Sequence, residues 1–132
     1  MKIRNVGLTL ALMAVFALGA CGGVAPRYEF KSREVSTKND LTQAQVKSAI
    51  LQAGAVQNWR MTVVRPGLIE ATREWSGGKH GITVDVVYNS KTYEINYKST
   101  KNLKYGGSTV HRAYNRQTIR LYDEIHAQTS RL

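Results

Sequence analysis

The stretch that decides the fold is Ile82-Thr83-Val84-Asp85-Val86-Val87-Tyr88, followed after an Asn89-Ser90-Lys91 turn by Tyr93-Glu94-Ile95-Asn96-Tyr97. In both runs apolar side chains alternate with polar ones, which is the pattern of β-strands with one buried face. A short polar turn between two such runs is typical of antiparallel neighbours. The stretch therefore predicts a β-hairpin with one apolar and one polar face.

Two further strand-like runs precede this hairpin. Residues 59–63 and 69–75 also alternate between apolar and polar side chains. The turn Arg65-Pro66-Gly67 separates them, and Ser76-Gly77-Gly78 separates the second run from the hairpin, because proline and glycine favour turn conformations. We expect an antiparallel meander of about four strands, with an apolar face that helices must cover.

A helix is predicted on each side of the meander. Before it, Thr42 and Gln45 have the spacing of a capping box, and Gly54 is predicted to end the helix. After it, Thr109 is the candidate cap. The predicted buried faces consist of Val46, Ala49, Ile50 and Ala53 in the first helix and Tyr114, Thr118, Leu121 and Ile125 in the second.

The predicted order is therefore helix, four strands, helix, with the N-terminal and the C-terminal helix on one face of the sheet. This arrangement belongs to the α+β class and is a two-layer sandwich. It occupies residues 41–132, a length that suits a single domain with one modest core.

The first twenty residues have the layout of a secretory signal peptide. Lys2 and Arg4 give a positive start, and an apolar run follows over residues 6–18. The run is too short for a helix that spans a membrane. Residues 1–20 are therefore predicted to be removed from the mature protein.

The segment closes with Leu18-Gly19-Ala20-Cys21, which resembles the bacterial lipobox. That resemblance implies cleavage between Ala20 and Cys21 and attachment of palmitate-type acyl chains to Cys21. Two acyl chains suffice for stable membrane anchoring. Cys21 is the only cysteine, so no intramolecular disulfide can form. Residues 21–40, with glycines, a proline and many polar side chains, are predicted to form a flexible tether of roughly 25 Å.

Motifs near the C-terminus resemble those of a known group of proteins. Residues 91–97, residues 102–105 and the run Val110-His111-Arg112-Ala113-Tyr114-Asn115 occur in that order behind a lipobox. Over roughly residues 41–132 the chain resembles a family of small proteobacterial lipoproteins of unknown function. The resemblance implies a cell-envelope lipoprotein and supplies no catalytic residues. Gly22 stands where an Asp would resemble an inner-membrane retention signal, which favours the outer membrane, facing the periplasm.

The chain is strongly basic, with 19 Lys+Arg against 9 Asp+Glu and a formal net charge of +10. Without Lys2 and Arg4, the part from Cys21 onward carries 17 − 9 = +8. This excess attracts anionic partners, and the predicted location limits them to lipopolysaccharide, peptidoglycan or an acidic envelope protein. Nucleic acid is not expected, because an anchor outside the cytoplasm removes access to it. The alternative is a charge that only keeps the protein soluble.

Few residues are candidates for catalysis. His111 and His126 lie about 22 Å apart on one predicted helix and cannot share a metal ion, whereas His80 could approach either of them. No serine lies in a recognisable nucleophile motif, and Glu70 and Glu74 are more simply explained as a solvated strand face. We predict no metal site, no cofactor and no enzymatic activity. A hydrolase that uses His80 or His111 is the less favoured alternative.

Arg112, Arg116 and Arg120 recur every four residues opposite the apolar face of the last helix. Because like charges at this spacing repel each other, the stripe is either a solvated face or a contact for an anionic partner. Ile119 lies off the apolar face, close to Tyr122. The leading hypothesis is a membrane-anchored, non-enzymatic binding or scaffold module that uses the arginines. The second is an assembly accessory that binds another envelope protein through Ile119 and Tyr122.

Overall fold

The computed structural model describes residues 23–35 and 39–132 of the 132-residue chain. The predicted signal peptide, its cleavage site and Cys21 lie outside the described residues. In chain order the elements are β1 (Val24–Pro26), β2 (Arg33–Glu34), α1 (Gln43–Val56), β3 (Arg60–Arg65), β4 (Leu68–Trp75), β5 (His80–Tyr88), β6 (Thr92–Lys101), β7 (Thr109–His111) and α2 (Arg112–Thr129). Neither helix in these ranges has the length and apolar character needed to cross a membrane.

A five-stranded antiparallel sheet forms one layer. Its order is β2-β6-β5-β4-β3, so the four predicted strands form the predicted meander and β2 adds an edge. Val86 pairs with Ile95 in the central hairpin, which places the alternating apolar side chains of both strands on one face. Gly67 adopts a φ of +84° in the turn between β3 and β4, a conformation that glycine reaches without a steric penalty.

Both helices cover the apolar face of this sheet, which confirms the predicted α+β sandwich. The capping box of α1 is formed, because Thr42 Oγ1 accepts from the Gln45 N–H at 3.2 Å and Gln45 Oε1 accepts from the Thr42 N–H at 2.9 Å. Helix and strand side chains share one core. Its fully buried members include Val46, Ile50, Ile69, Ile82, Val84, Val86, Tyr114, Leu121 and Ile125.

Two helix ends differ from the sequence prediction. Helix α1 continues past Gly54 to Val56. Gly54 is buried, and a β-carbon there would collide with the Met61 side chain, so this glycine permits close packing of α1 on β3 instead of ending the helix. Helix α2 begins after His111 and not near Thr109, because Thr109 pairs with Pro26 in the β1–β7 ladder.

The predicted flexible tether is wrong for residues 23–35, which we call the N-terminal strap. Strand β1 pairs with β7 and β2 pairs with β6. Between them, Phe30 is only 7% exposed and its ring lies 5.2 Å from the ring of Tyr122. The Tyr122 hydroxyl donates to the Lys31 carbonyl at 2.9 Å, and Arg33 pairs with Asp123 at 3.0 Å. Apolar burial and these bonds hold the strap on α2.

Replacing Phe30 tests whether the strap contributes to stability. Phe30→Ala removes a buried ring and is expected to lower the free energy of unfolding by about 3 kcal/mol. Ser32→Ala, at an exposed position of the same strap, is the control and is expected to change it by less than about 0.5 kcal/mol. Urea unfolding of both variants measures the difference. Equal, near-zero effects would show that the segment does not pack on the domain.

His126 makes stability depend on pH. Burial, with a smaller contribution from the charge of Arg33, lowers the pKa of His126 from its ordinary value of 6.5. The unfolded state then binds the proton more readily than the folded state, so His126 stabilises the fold fully above pH 6.5 and less as pH falls through the lowered pKa. We expect the free energy of unfolding of His126→Gln to fall less than that of the wild type below pH 6.5. Urea unfolding at a series of pH values checks this, and parallel profiles would contradict it.

Candidate anion-binding cleft

A cleft opens at the end of the sheet where the β4–β5 hairpin meets the start of α2. Its volume is about 450 Å³, which is within the range of small-ligand sites. Two of its lining side chains are arginines, two are histidines, and none of the described lining residues is acidic. The lining consists of Arg73, Trp75, His80, Asn102, Leu103, His111, Ala113, Arg116 and Gln117.

The sheet supplies three of the polar and aromatic lining residues. In β4, Ile69 points into the core, and the alternation of the strand carries Arg73 and Trp75 to the same face. Trp75 pairs with His80 across the β4–β5 hairpin, and the two rings stack with centroids 5.9 Å apart. Arg73 Nη1 donates to the carbonyl of Gln57, the C-cap of α1. This bond restrains the guanidinium at the edge of the cleft.

The hydrogen bonds of the two histidines define their tautomers. His80 Nδ1 lies 3.0 Å from the carbonyl oxygen of Asn102, and because a carbonyl only accepts, Nδ1 carries the proton. His111 is the N-cap of α2, and its Nδ1 accepts from the Ala113 N–H at 3.1 Å. The proton of His111 is therefore on Nε2. The helix cap thus fixes the ring of His111 and keeps Nε2–H as a hydrogen-bond donor.

The electrostatics of the cleft favour an anion. The first turn of α2 contains no acidic residue, so no carboxylate within that turn offsets the positive end of its dipole. Arg116 is exposed and forms no ion pair with any residue that the structure describes. An anion in the cleft would meet two guanidinium groups and a helix N-terminus, which together bind phosphate and carboxylate groups well.

The structure separates the three arginines of the predicted stripe. All three are exposed, and within residues 23–35 and 39–132 none pairs with an acidic side chain. Only Arg116 lines the cleft. Arg112 lies beside Gly23, whose carbonyl accepts from the Arg112 N–H at 3.2 Å, and Arg120 lies one turn beyond Arg116. Glu124 pairs with Arg131 at 4.0 Å instead of with Arg120.

The predicted protein contact, Ile119 and Tyr122, is engaged within the protein itself. Both side chains are partly buried against the core. The Tyr122 ring lies 5.2 Å from Phe30 and 5.3 Å from Tyr93, and its hydroxyl holds the strap at Lys31. The strap therefore covers the Tyr122 surface that a partner protein would need.

The structure brings together two of the three histidines. His80 and His111 line the same cleft, while His126 lies near Arg33 of the strap. None of the described lining residues is Ser, Asp or Glu, so the cleft lacks the nucleophile and the orienting acid of a Ser–His–Asp arrangement. Across the part of the chain that the structure describes, no three side chains of the types His, Cys, Asp and Glu form a metal-binding group.

Glu70 and Glu74 lie on the opposite face of the sheet from the cleft. Glu70 accepts from Lys98 Nζ at 2.6 Å, and this hydrogen bond is the main cause that raises the pKa of Lys98. Glu74 lies 3.9 Å from Lys101 Nζ. Each carboxylate thus has its own lysine partner, as expected for a solvated strand face and not for an acid pair.

The sequence prediction overlooked Arg73 and Trp75 as site residues. A signal was present, because both continue the alternation of Ile69 and Ala71 on the face that points to the core. An arginine at such a position has to reach solvent, a partner or a cleft, since an unpaired buried charge is costly. No pattern in the local sequence indicates that the start of α2 lies opposite Arg73.

No protein-family model matches this chain, and no curated protein matches it either. The resemblance to small proteobacterial lipoproteins therefore stays a prediction from the motifs.

Proposed function

We propose that this chain is a lipid-anchored module of the bacterial cell envelope that binds an anionic group in the cleft and catalyses no reaction. The observation that carries the proposal is the meeting of Arg73, Arg116, His80 and His111 around a cleft of about 450 Å³ whose described lining residues include no carboxylate. The lipobox-like sequence ending at Cys21 supports the anchor. Gly22, in place of an Asp, favours the outer membrane as the location of the protein, with the domain facing the periplasm.

The lining chemistry favours a phosphate-bearing ligand. Arg116 is free to form a bidentate pair with phosphate oxygens, and Arg73 is restrained by the Gln57 carbonyl. The Nε2–H of His111 adds a donor whose direction the helix cap sets. A volume of about 450 Å³ suits a small group such as one phosphorylated sugar of lipopolysaccharide. A carboxylate of peptidoglycan or of an acidic envelope protein has two oxygens and can pair bidentately with one guanidinium group, whereas a phosphate monoester has a further oxygen for the second.

The alternative is an assembly accessory that binds an envelope protein through apolar contacts. The strap already occupies Tyr122, so such a contact would need other residues. Val63 and Val64 of β3 are exposed large hydrophobic side chains at the far edge of the sheet. An apolar contact there would be insensitive to salt and to Arg116, which separates it from anion binding in the cleft.

Titration with glucosamine 1-phosphate, and with inorganic phosphate alone, tests the cleft. We expect saturable shifts of the Trp75 indole N–H and the Ala113 amide in ¹H–¹⁵N NMR, and no shift at Glu70 on the opposite face. Loss of a charge-assisted hydrogen bond in Arg116→Ala should weaken binding about tenfold. Arg120→Ala removes the same charge from α2 outside the cleft and is the matched control.

His111→Asn is a second test of the cleft, because asparagine is a good N-cap and preserves α2 while it removes the imidazole donor. We expect it to weaken binding and to leave the free energy of unfolding nearly unchanged. Equal weakening by Arg116→Ala and Arg120→Ala would show diffuse charge attraction without a site. No shift at Trp75 with either probe would contradict the proposal for the cleft.

The anchor is tested separately by labelling cells with radioactive palmitate. The wild type is expected to carry the label and to sediment with membranes, because two acyl chains anchor a protein stably. Cys21→Ser is expected to lose both properties. Ser32→Cys, which places a thiol in the strap, should not restore labelling in the Cys21→Ser background. An unlabelled wild type would contradict the anchor without affecting the test of the cleft.

A further inference from the structure

The N-terminal strap brings the start of the described chain to a small surface around β7. Strand β7 has a neighbour on each side. Strand β1 pairs with β7 on one side, and Tyr105 forms a bridge to Val110 of β7 on the other side. One residue further along β7, His111 pairs with Val24, and the His111 N–H donates to the Lys104 carbonyl at 2.8 Å. Three chain segments therefore lie side by side next to Gly23, where the described residues begin.

The exposed side chains of this surface combine apolar and basic groups. Val24 is 47% exposed. Lys104 and Arg112 are exposed, and neither forms an ion pair with a residue that the structure describes. We call Val24, Lys104 and Arg112 the anchor face. Tyr105 is not part of it, because it pairs with the buried Val110 and stacks on Tyr97, which places its ring on the other side of this ribbon. An exposed apolar group beside unpaired basic groups is typical of surfaces that rest on anionic bilayers.

The length of chain before this surface is short. The Gly23 carbonyl accepts from the Arg112 N–H at 3.2 Å, which fixes the chain at the anchor face. Residue 22 alone separates Gly23 from Cys21, and two residues reach at most about 7 Å. A lipid on Cys21 would therefore hold the anchor face close to the headgroups, where its lysine and arginine have anionic partners.

We propose that the anchor face docks on the anionic phospholipid of the bilayer that holds the lipidated Cys21, so that the domain has one orientation on the membrane. The proposal rests on the lipid anchor proposed above. Val24 lies at headgroup depth, and Lys104 and Arg112 contact lipid phosphates. Because Tyr105, the neighbour of Lys104 in the chain, stacks on Tyr97 of β6, the anchor face lies on the β6 side, and β3 lies three strand spacings from β6, about 14 Å.

The test uses the full lipidated protein in vesicles of phosphatidylethanolamine and phosphatidylglycerol. A second cysteine is introduced at Val24 or at Lys104 and labelled with an environment-sensitive fluorophore. The lipidated sulfur of Cys21 does not react, so each variant carries one label. Val63→Cys, at an exposed position of β3, is the control. A nitroxide carried on the lipid headgroup quenches labels that lie at the bilayer surface.

Strong quenching at positions 24 and 104, with little at position 63, is the expected result. Equal quenching at all three positions would overturn the docking proposal and leave the anchor proposal standing, because it would describe an anchored domain without a fixed orientation. Labelling of Cys21 itself by the fluorophore would show an unlipidated thiol, and this outcome would overturn the anchor and the docking together.

Charge neutralisation tests the role of the basic side chains with the label at position 24. Each basic group at an anionic surface favours docking about fivefold, so Lys104→Gln with Arg112→Gln should lower the ratio of docked to undocked protein by about 25-fold. Arg60→Gln with Arg65→Gln removes the same charge from β3 and should leave the ratio unchanged. Equal effects of the two pairs would overturn the proposal, as would quenching that does not depend on phosphatidylglycerol.

Discussion

Burial of the apolar face of the antiparallel sheet is the constraint on which the rest of the structure depends. Ile82, Val84 and Val86 stand on one face of the central strand and are fully buried. The two helices have matching apolar faces that exclude water from that surface, and each buried aliphatic side chain contributes roughly 1.5–3 kcal/mol. The position of α2 follows from this burial, and the cleft follows from the position of α2. Arg73, Trp75 and His80 continue the same face at the end of the sheet, where α2 begins and burial is incomplete.

Much of this architecture could be predicted from the sequence because its signals are local. Period-2 alternation in β5 and β6 and the capping box of Thr42 and Gln45 act within a few residues of one another. The wrong predictions concern positions whose role is set by distant partners. At position 54 a glycine is needed because the Met61 side chain of β3 occupies the space of a β-carbon. Thr109 belongs to a strand because it pairs with Pro26, which is far away in the sequence. Local rules assign such residues to helix ends because they contain no information about these partners.

The structure of the strap also depends on partners that are distant in the sequence. Its segment alternates aromatic and charged side chains, and its own aromatic contact to Phe30 is the ring of the half-exposed Tyr28, 4.7 Å away. Burial of Phe30 comes from Tyr122, whose ring lies 5.2 Å from Phe30 and 5.3 Å from Tyr93, so α2 and β6 must both be in place before this surface exists. The candidate site has this property as well. By sequence alone His80 could approach either of two histidines. In the structure the pairing of β7 with β1 and the bond from the His111 N–H to the Lys104 carbonyl hold His111 in place at the start of α2.

His111 lies between the two proposed surfaces, the cleft and the anchor face. It caps α2 and lines the cleft, and its backbone lies in register between Val24 and Lys104 of the anchor face. If the anchor face rests on a bilayer, the cleft opens beside the headgroups, and an anionic group bound there would belong to a molecule at the membrane surface. The charges of the two surfaces are nevertheless distinct, because Arg112 and Arg116 lie one helical turn apart and only Arg116 lines the cleft. Loss of docking with an intact cleft, or the reverse, therefore distinguishes an oriented scaffold from a ligand-binding module.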